Sequence, residues 1–132
     1  MIKQPIVVVR AITPWNFPLS TVSRKAAPAI AAGCTLVIKP SSKSPQSTIE
    51  LAKIFEEVGL PKGVFNVVMA NSSEFTDVLM DSKLVKKITF TGSTGVGKLL
   101  MERSAKTMKR ISMELGGHAP FIVFDDATIE QA

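Results

Sequence analysis

Tyrosine is absent, and cysteine, histidine and tryptophan occur once each, at Cys34, His118 and Trp15. A single thiol excludes an intrachain disulfide and a cysteine-built zinc site. A lone histidine with no carboxylate or cysteine at ligand spacing builds no metal site either, so no metal is expected. Blocks of like charge are also missing. The sixteen Lys and Arg give a net charge of +5 but are scattered along the chain. With so few aromatics there is no stacking stripe, and a nucleic-acid partner is not expected. The charge argues only for mild attraction of anionic ligands. Long apolar runs are lacking too. The longest weakly polar stretch, Ala26 to Ile38, is interrupted by Pro28, Gly33 and Thr35 and is too short to span a bilayer. No charged-then-apolar leader with a small-residue cleavage site opens the chain. No membrane partner is expected, and the cytoplasm is the default location.

What the chain does have is alternation. Its 132 residues suit one domain and suffice for one core. "PIVVVRAI" (Pro5 to Ile12), "CTLVIK" (Cys34 to Lys39), "VFNVVM" (Val64 to Met69), "KKITF" (Lys86 to Phe90), "RISMEL" and "PFIVF" (Pro120 to Phe124) read as short buried strands. Between them lies a small-residue helix running to Gly33, with a break expected near Pro28. A second helix is capped at Ser44 and Pro45 and carries Leu51, Ile54, Phe55 and Val58 on one face. A third carries Phe75, Val78 and Leu79, a fourth runs from about Gly95 to Ala105, and "DDATIEQA" opens another. Strand and helix alternating over short connections predict an α/β fold with a parallel sheet and crossover helices.

One loop points to chemistry. "TFTGSTGVGKLL" (Thr89 to Leu100) places Gly92, Gly95 and Gly97 between a strand and a helix. Free backbone N–H groups and the positive helix end converge there, and glycine lets a phosphate approach the backbone. Such a loop is often only a tight turn. It also misses both familiar patterns. Leu99 stands where a phosphate-loop hydrolase needs its magnesium-binding hydroxyl, and Leu100 replaces the third glycine of a G-x-G-x-x-G fingerprint. A hydrolase remains an alternative because "PFIVFDD" resembles a metal-holding strand ending at Asp125.

Four stretches, "ITPWNFP" (Ile12 to Pro18), "AAGCTLVIKPSSKSP" (Ala31 to Pro45), "FTGSTGVGK" (Phe90 to Lys98) and "MELGGHAP" (Met113 to Pro120), resemble the NAD(P)-dependent aldehyde dehydrogenases. The wording is most similar to the succinate-semialdehyde group. The resemblance implies a Rossmann-like parallel sheet, with residues 1–132 forming the dinucleotide-binding part of an aldehyde dehydrogenase domain truncated at both ends. It implies an oxidoreductase that converts an aldehyde to the acid through a thioacyl intermediate, with NADP or NAD as cofactor. The full-length relative would be a homo-oligomer.

The resemblance also assigns roles. Asn16 would donate to the oxyanion, and Glu114 would act as general base for the deacylating water. Trp15, Asn16, Lys39, Pro40, Ser41, Ser42, Gly92, Ser93 and Leu115 would surround the dinucleotide. Lys39 would reach the adenosine ribose. Ser42, where a carboxylate would repel a 2′-phosphate, leaves room for NADP. The nucleophilic cysteine of the family lies beyond the "ELGG" motif, and Cys34, opening an apolar strand, is expected to be buried and inert. The chain alone is therefore expected to be inactive, and a non-catalytic nucleotide-binding remnant is the alternative. Three local departures stand out. Val7 and Arg10 replace small residues of the family's first strand, and a buried Arg is costly unless paired. "ANSSEF" (Ala70 to Phe75) replaces a Gly-rich turn.

Overall fold

In the computed structural model, which describes residues 4–128 and 130, strands and helices alternate as the hydrophobic pattern predicts. The order is β1 (Val8–Ile12), α1 (Ser20–Ala31), β2 (Thr35–Lys39), α2 (Gln46–Glu57), β3 (Phe65–Val67), α3 (Ser72–Asp81), β4 (Val85–Thr91), α4 (Thr94–Ala105) and β5 (Arg110–Glu114). The strands form one sheet in the order β3-β2-β1-β4-β5, with every pairing parallel. This is the Rossmann-like arrangement. The chain winds outward from β1 through β2 to β3, then crosses back to add β4 and β5 on the other side. The reversal leaves a crevice at the carboxyl ends of β1 and β4, where open α/β sheets bind ligands.

Right-handed crossovers put consecutive helices on one face until the winding reverses. Accordingly α1 and α2 cover Val9, Ala11, Leu36 and Ile38, through Val22, Ala26, Ala29 and Leu51. On the opposite face α3 and α4 bring Met80 and Leu100 onto Ile88 and Phe90, flanked by Ile12 and Met113. Each helix thus buries a narrow stripe on half of the sheet, and the first face stays open over β4 and β5.

Several local expectations are corrected. Helix α1 runs unbroken through Pro28 to Ala31. The proline stands on the exposed side of the helix, where its ring meets little and the freed Arg24 carbonyl can turn to water. The chain then reverses at Gly33, whose φ of 73° suits glycine. Ser44 does not cap α2, which has no side-chain cap; its hydroxyl instead donates to the Trp15 carbonyl oxygen at 3.0 Å. Ile54, Val58 and Val78 face solvent rather than the core.

The first strand begins at Val8 rather than Pro5 because Val7 adopts a φ of 76°, outside strand geometry. The largest correction concerns "PFIVF". Residues 120–124 form no strand and are exposed, since a lone strand needs a neighbour's ladder to satisfy its backbone. Beyond them Asp125 and Asp126 form a turn, closed by the Ala127 N–H on the Phe124 carbonyl at 3.1 Å. The end of the expected final helix, residues 129, 131 and 132, lies outside the described residues. Asp125 therefore has no strand to carry it, and the metal-holding element of a hydrolase is not formed.

Candidate functional site

Parallel register aligns the strand ends. Ile12 pairs with Lys39 on one side and with Phe90 on the other, Phe90 pairs with Met113, and Thr91 with Glu114. Every loop that carries a motif therefore leaves the sheet at the same edge. The Thr13 N–H donates to the Lys39 carbonyl at 3.3 Å and the Gly92 N–H to the Glu114 carbonyl at 3.1 Å. These bonds extend both ladders past the strands and pin the loops.

A cavity of about 900 Å³ lies on the open half of the first face, between α1 and the outer strands. Asn16, Gly92, Glu114 and Leu115, all expected site residues, line it, together with Arg24, Lys25 and Thr91. The other expected residues lie off this cavity. Lys39 and Pro40 are buried at the end of β2, Ser41 is half-buried, and Ser42 and Trp15 are exposed. Ser93 caps α4, its hydroxyl accepting from the Val96 N–H at 3.4 Å. Asn16 and Glu114 thus share one cavity, while Trp15 and Ser93, on loops, and Lys39, at the end of β2, stand at the same sheet edge. In place of a Gly-rich turn, Ala70 and Asn71 lead into α3, where the Asn71 side chain accepts from the Ser73 N–H at 2.9 Å.

Lys25 is the site residue that sequence reasoning missed. It is buried, and its ammonium donates to Thr91 Oγ1 at 2.7 Å. Burial lowers its pKa, the field of Glu114 raises it, and Arg24 lowers it again. The signal was available, because Lys25 falls on the same α1 stripe as the buried Val22, Ala26 and Ala29. A lysine at that helical position has to find a polar partner.

Cys34 also lines the cavity, but at its far end. It precedes Thr35, the partner of Val8, at the amino ends of the strands. It is buried, as expected of an inert thiol. Lys39, buried at its strand end, has its pKa lowered by desolvation.

The residues present suit a dinucleotide. No carboxylate occurs in Thr13–Pro18, Lys39–Pro45 or Gly92–Lys98, so the loops after β1, β2 and β4 carry donors without acidic groups to repel phosphate. Thr13 Oγ1 is buried there and has no partner among the described residues. A Cβ added at Gly95, in the first turn of α4, would meet nothing within 4 Å. The side of α4's first turn at Gly95 is therefore open to a ligand, while the Val96 N–H is capped by Ser93.

The chain is similar to known proteins over its whole length. The aldehyde dehydrogenase family matches residues 1–132. The chain is 54% identical, over all 132 residues, to a glutarate-semialdehyde dehydrogenase of Pseudomonas aeruginosa. It is equally 54% identical over 132 residues to an NADP-dependent succinate-semialdehyde dehydrogenase of Escherichia coli. It spans 27% of the length of each. A crystal structure of betaine aldehyde dehydrogenase from Staphylococcus aureus in complex with NAD+ superposes with a TM-score of 0.85 at 47% identity, covering 96% of this chain and 25% of that one. No helix among the described residues is long and apolar enough to cross a membrane.

Proposed function

Because this chain belongs to the aldehyde dehydrogenase family, we propose that it carries the dinucleotide site and two catalytic groups of a semialdehyde dehydrogenase. The complete enzyme oxidises the aldehyde of a compound such as succinate semialdehyde to the carboxylic acid with NADP or NAD. The observation that carries this reading is the meeting of Asn16 and Glu114 in one cavity beside the crevice at the sheet reversal.

The cavity supports a division of labour. Asn16, on the loop after β1, presents a neutral amide that donates to the carbonyl oxygen as negative charge develops on it. Glu114, at the end of β5, takes a proton from the water that releases the acid. Lys25, held by Thr91 and under the field of Glu114, steadies that carboxylate as a fixed neighbouring charge. Arg24 on the same wall supplies a cation for the distal carboxylate of the substrate. When bound, the nicotinamide accepts the hydride lost by the aldehyde carbon. Thr94, Gly95, Ser93 and Lys39 hold the dinucleotide, through the helix start and the ribose.

The attacking thiol is not Cys34, which is buried at the opposite end of the strands. We read the nucleophile as lying outside these residues and the 132-residue chain as unable to turn over by itself. The complete protein is read as a cytoplasmic homo-oligomer.

The test is mutagenesis in the complete enzyme. Asn16→Ala and Glu114→Gln are each expected to lower kcat by roughly 10²–10³ while NADP affinity stays unchanged. Wild-type turnover in Asn16→Ala would sink the reading. For the isolated chain mixed with NADP and succinate semialdehyde, no growth of reduced-cofactor absorbance is expected. Growth above background would place the nucleophile within it.

A further inference from the structure

Two features at the end of the sheet are unmatched. Strand β5 closes the order β3-β2-β1-β4-β5, so the backbone along its outer edge pairs with no strand among the described residues. Downstream, Phe121, Ile122, Val123 and Phe124 form an unbroken apolar run that is 47–79% exposed. Four consecutive residues of high strand propensity, with no charge among them, are suited to pairing with an open edge.

The run does not reach its own edge. The Thr94 hydroxyl donates to the Gly116 carbonyl at 3.3 Å, and the Gly92 N–H to the Glu114 carbonyl at 3.1 Å. Leu115 lies against Gly97 of α4, where an added Cβ would stand 2.6 Å from its Cδ2. Residues 114–116 are therefore tied to the glycine loop and α4, on the β4 side of β5 and away from the outer edge. A parallel return would need a crossover of about a dozen residues or more, far longer than residues 115–119. A hairpin would give up the Leu115 and Gly116 contacts.

The run and the edge match in one orientation. Ile111 and Met113 pair with Ile88 and Phe90 and share their apolar face, while Arg110, Ser112 and Glu114 alternate onto the other. With residue 122 set antiparallel opposite residue 113, Ile122 and Phe124 continue the apolar face and Asp125 falls opposite Arg110. A parallel alignment brings Asp125 to the Glu114 end instead, where like charges repel. We propose that residues 121–124 of one copy add as an antiparallel strand to the β5 edge of a second copy, reciprocally, giving a two-fold dimer. Each copy covers its open edge with a strand that it cannot place there itself. The inference concerns the β5 edge and does not rest on the reading of the cavity.

The test is light scattering on the 132-residue chain over a wide concentration range, with amide exchange of β5 in parallel. The wild type is expected to pass from monomer to dimer as concentration rises, and the β5 amides to become protected with it. Ile122→Lys and Phe124→Lys change side chains that are exposed in the single copy, so their circular dichroism should match the wild type. Each is expected to weaken association by roughly tenfold or more. Arg110→Asp or Asp125→Lys alone should weaken it by about threefold, and the two together should restore it. Val78→Lys, at an exposed apolar position on α3, is the control and should change nothing. A wild type that stays monomeric, or a dimer that persists unchanged in Ile122→Lys and Phe124→Lys, would overturn the inference. So would a charge exchange that restores nothing, or an equal loss in the Val78 control.

Discussion

The amide N–H of Gly92 donates to the carbonyl oxygen of Glu114 at 3.1 Å, one step past the last paired residues of β4 and β5. This bond joins the start of the glycine loop to the backbone of the candidate general base. A shift in one loop is therefore felt by the other.

Gly92 has no room for a side chain. An added Cβ would stand 2.5 Å from Cζ of Phe90, whose ring is buried in the core of the second face. Gly92→Ala is expected to destabilise the fold by about 1–3 kcal/mol through overpacking. Urea unfolding checks it, and a variant of unchanged midpoint would show that Phe90 can swing aside at no cost.

Val7 is strained. A β-branched residue at a φ of 76° sits in the left-handed region that costs an L-residue roughly 1–2 kcal/mol. Val7→Gly relieves the strain but raises the entropy of the unfolded chain, for a net gain of about 1 kcal/mol. The Thr35 N–H bond to the carbonyl of residue 7 survives the change. A lowered thermal midpoint would refute the account.

Arg10 is the expected buried cation without a matching acid. It is 0% exposed, donates to Thr76 Oγ1 at 2.8 Å and lies 5.0 Å from the Phe75 ring centroid. Its Nε and Nη1 have no partner among the described residues. Burial, reinforced by the charge of Arg103, brings its pKa down to about 10. The pair Arg10→Met and Thr76→Val removes the cation and strands no hydroxyl. It is expected to stabilise by about 1–3 kcal/mol, as replacing buried charges by apolar groups often does. Calorimetric unfolding decides, and a loss of stability would mean the guanidinium is better satisfied than its neighbours indicate.

Lys25, Lys39 and Lys109 share a pH signature. Desolvation is the first cause lowering each pKa in the fold. The unfolded chain therefore binds these protons more tightly than the folded one. Where the unfolded state holds more protons, stability rises with pH. The gain begins as pH passes the lowered folded values and ends near the ordinary lysine value of about 10.4. Urea midpoints measured from neutral pH upward are expected to carry this positive term, and Lys25→Met to flatten part of it. A slope identical in wild type and variant would dissociate Lys25 from it.

Much of the fold was readable locally. Apolar runs punctuated by Gly and Pro located the five strands and four helices of the sheet, because short-range periodicity tracks which face a residue buries. The exceptions share a cause. Proline at 28 predicts a break because the sequence does not show which side of the helix faces water. "PFIVF" predicts a strand because propensity carries no information about whether a neighbouring ladder exists. Among the residues lining the cavity, Asn16, Gly92 and Glu114 were legible as candidates from short motifs. Lys25 was not, since its partner Thr91 lies 66 residues away.

By itself, then, the sequence determined the alternation of elements, the glycine loop between strand and helix, and a charge balance free of acids around that loop. These depend on residues within a few positions of one another. Only the tertiary structure decided that the loops after β1, β2, β4 and β5 share one sheet edge. It also put Lys25 beside Thr91 and left Arg10 buried without an acid. The physical reason is that parallel strands pair only through crossovers. Which distant residues meet is set by sheet order and register, and no local pattern encodes either.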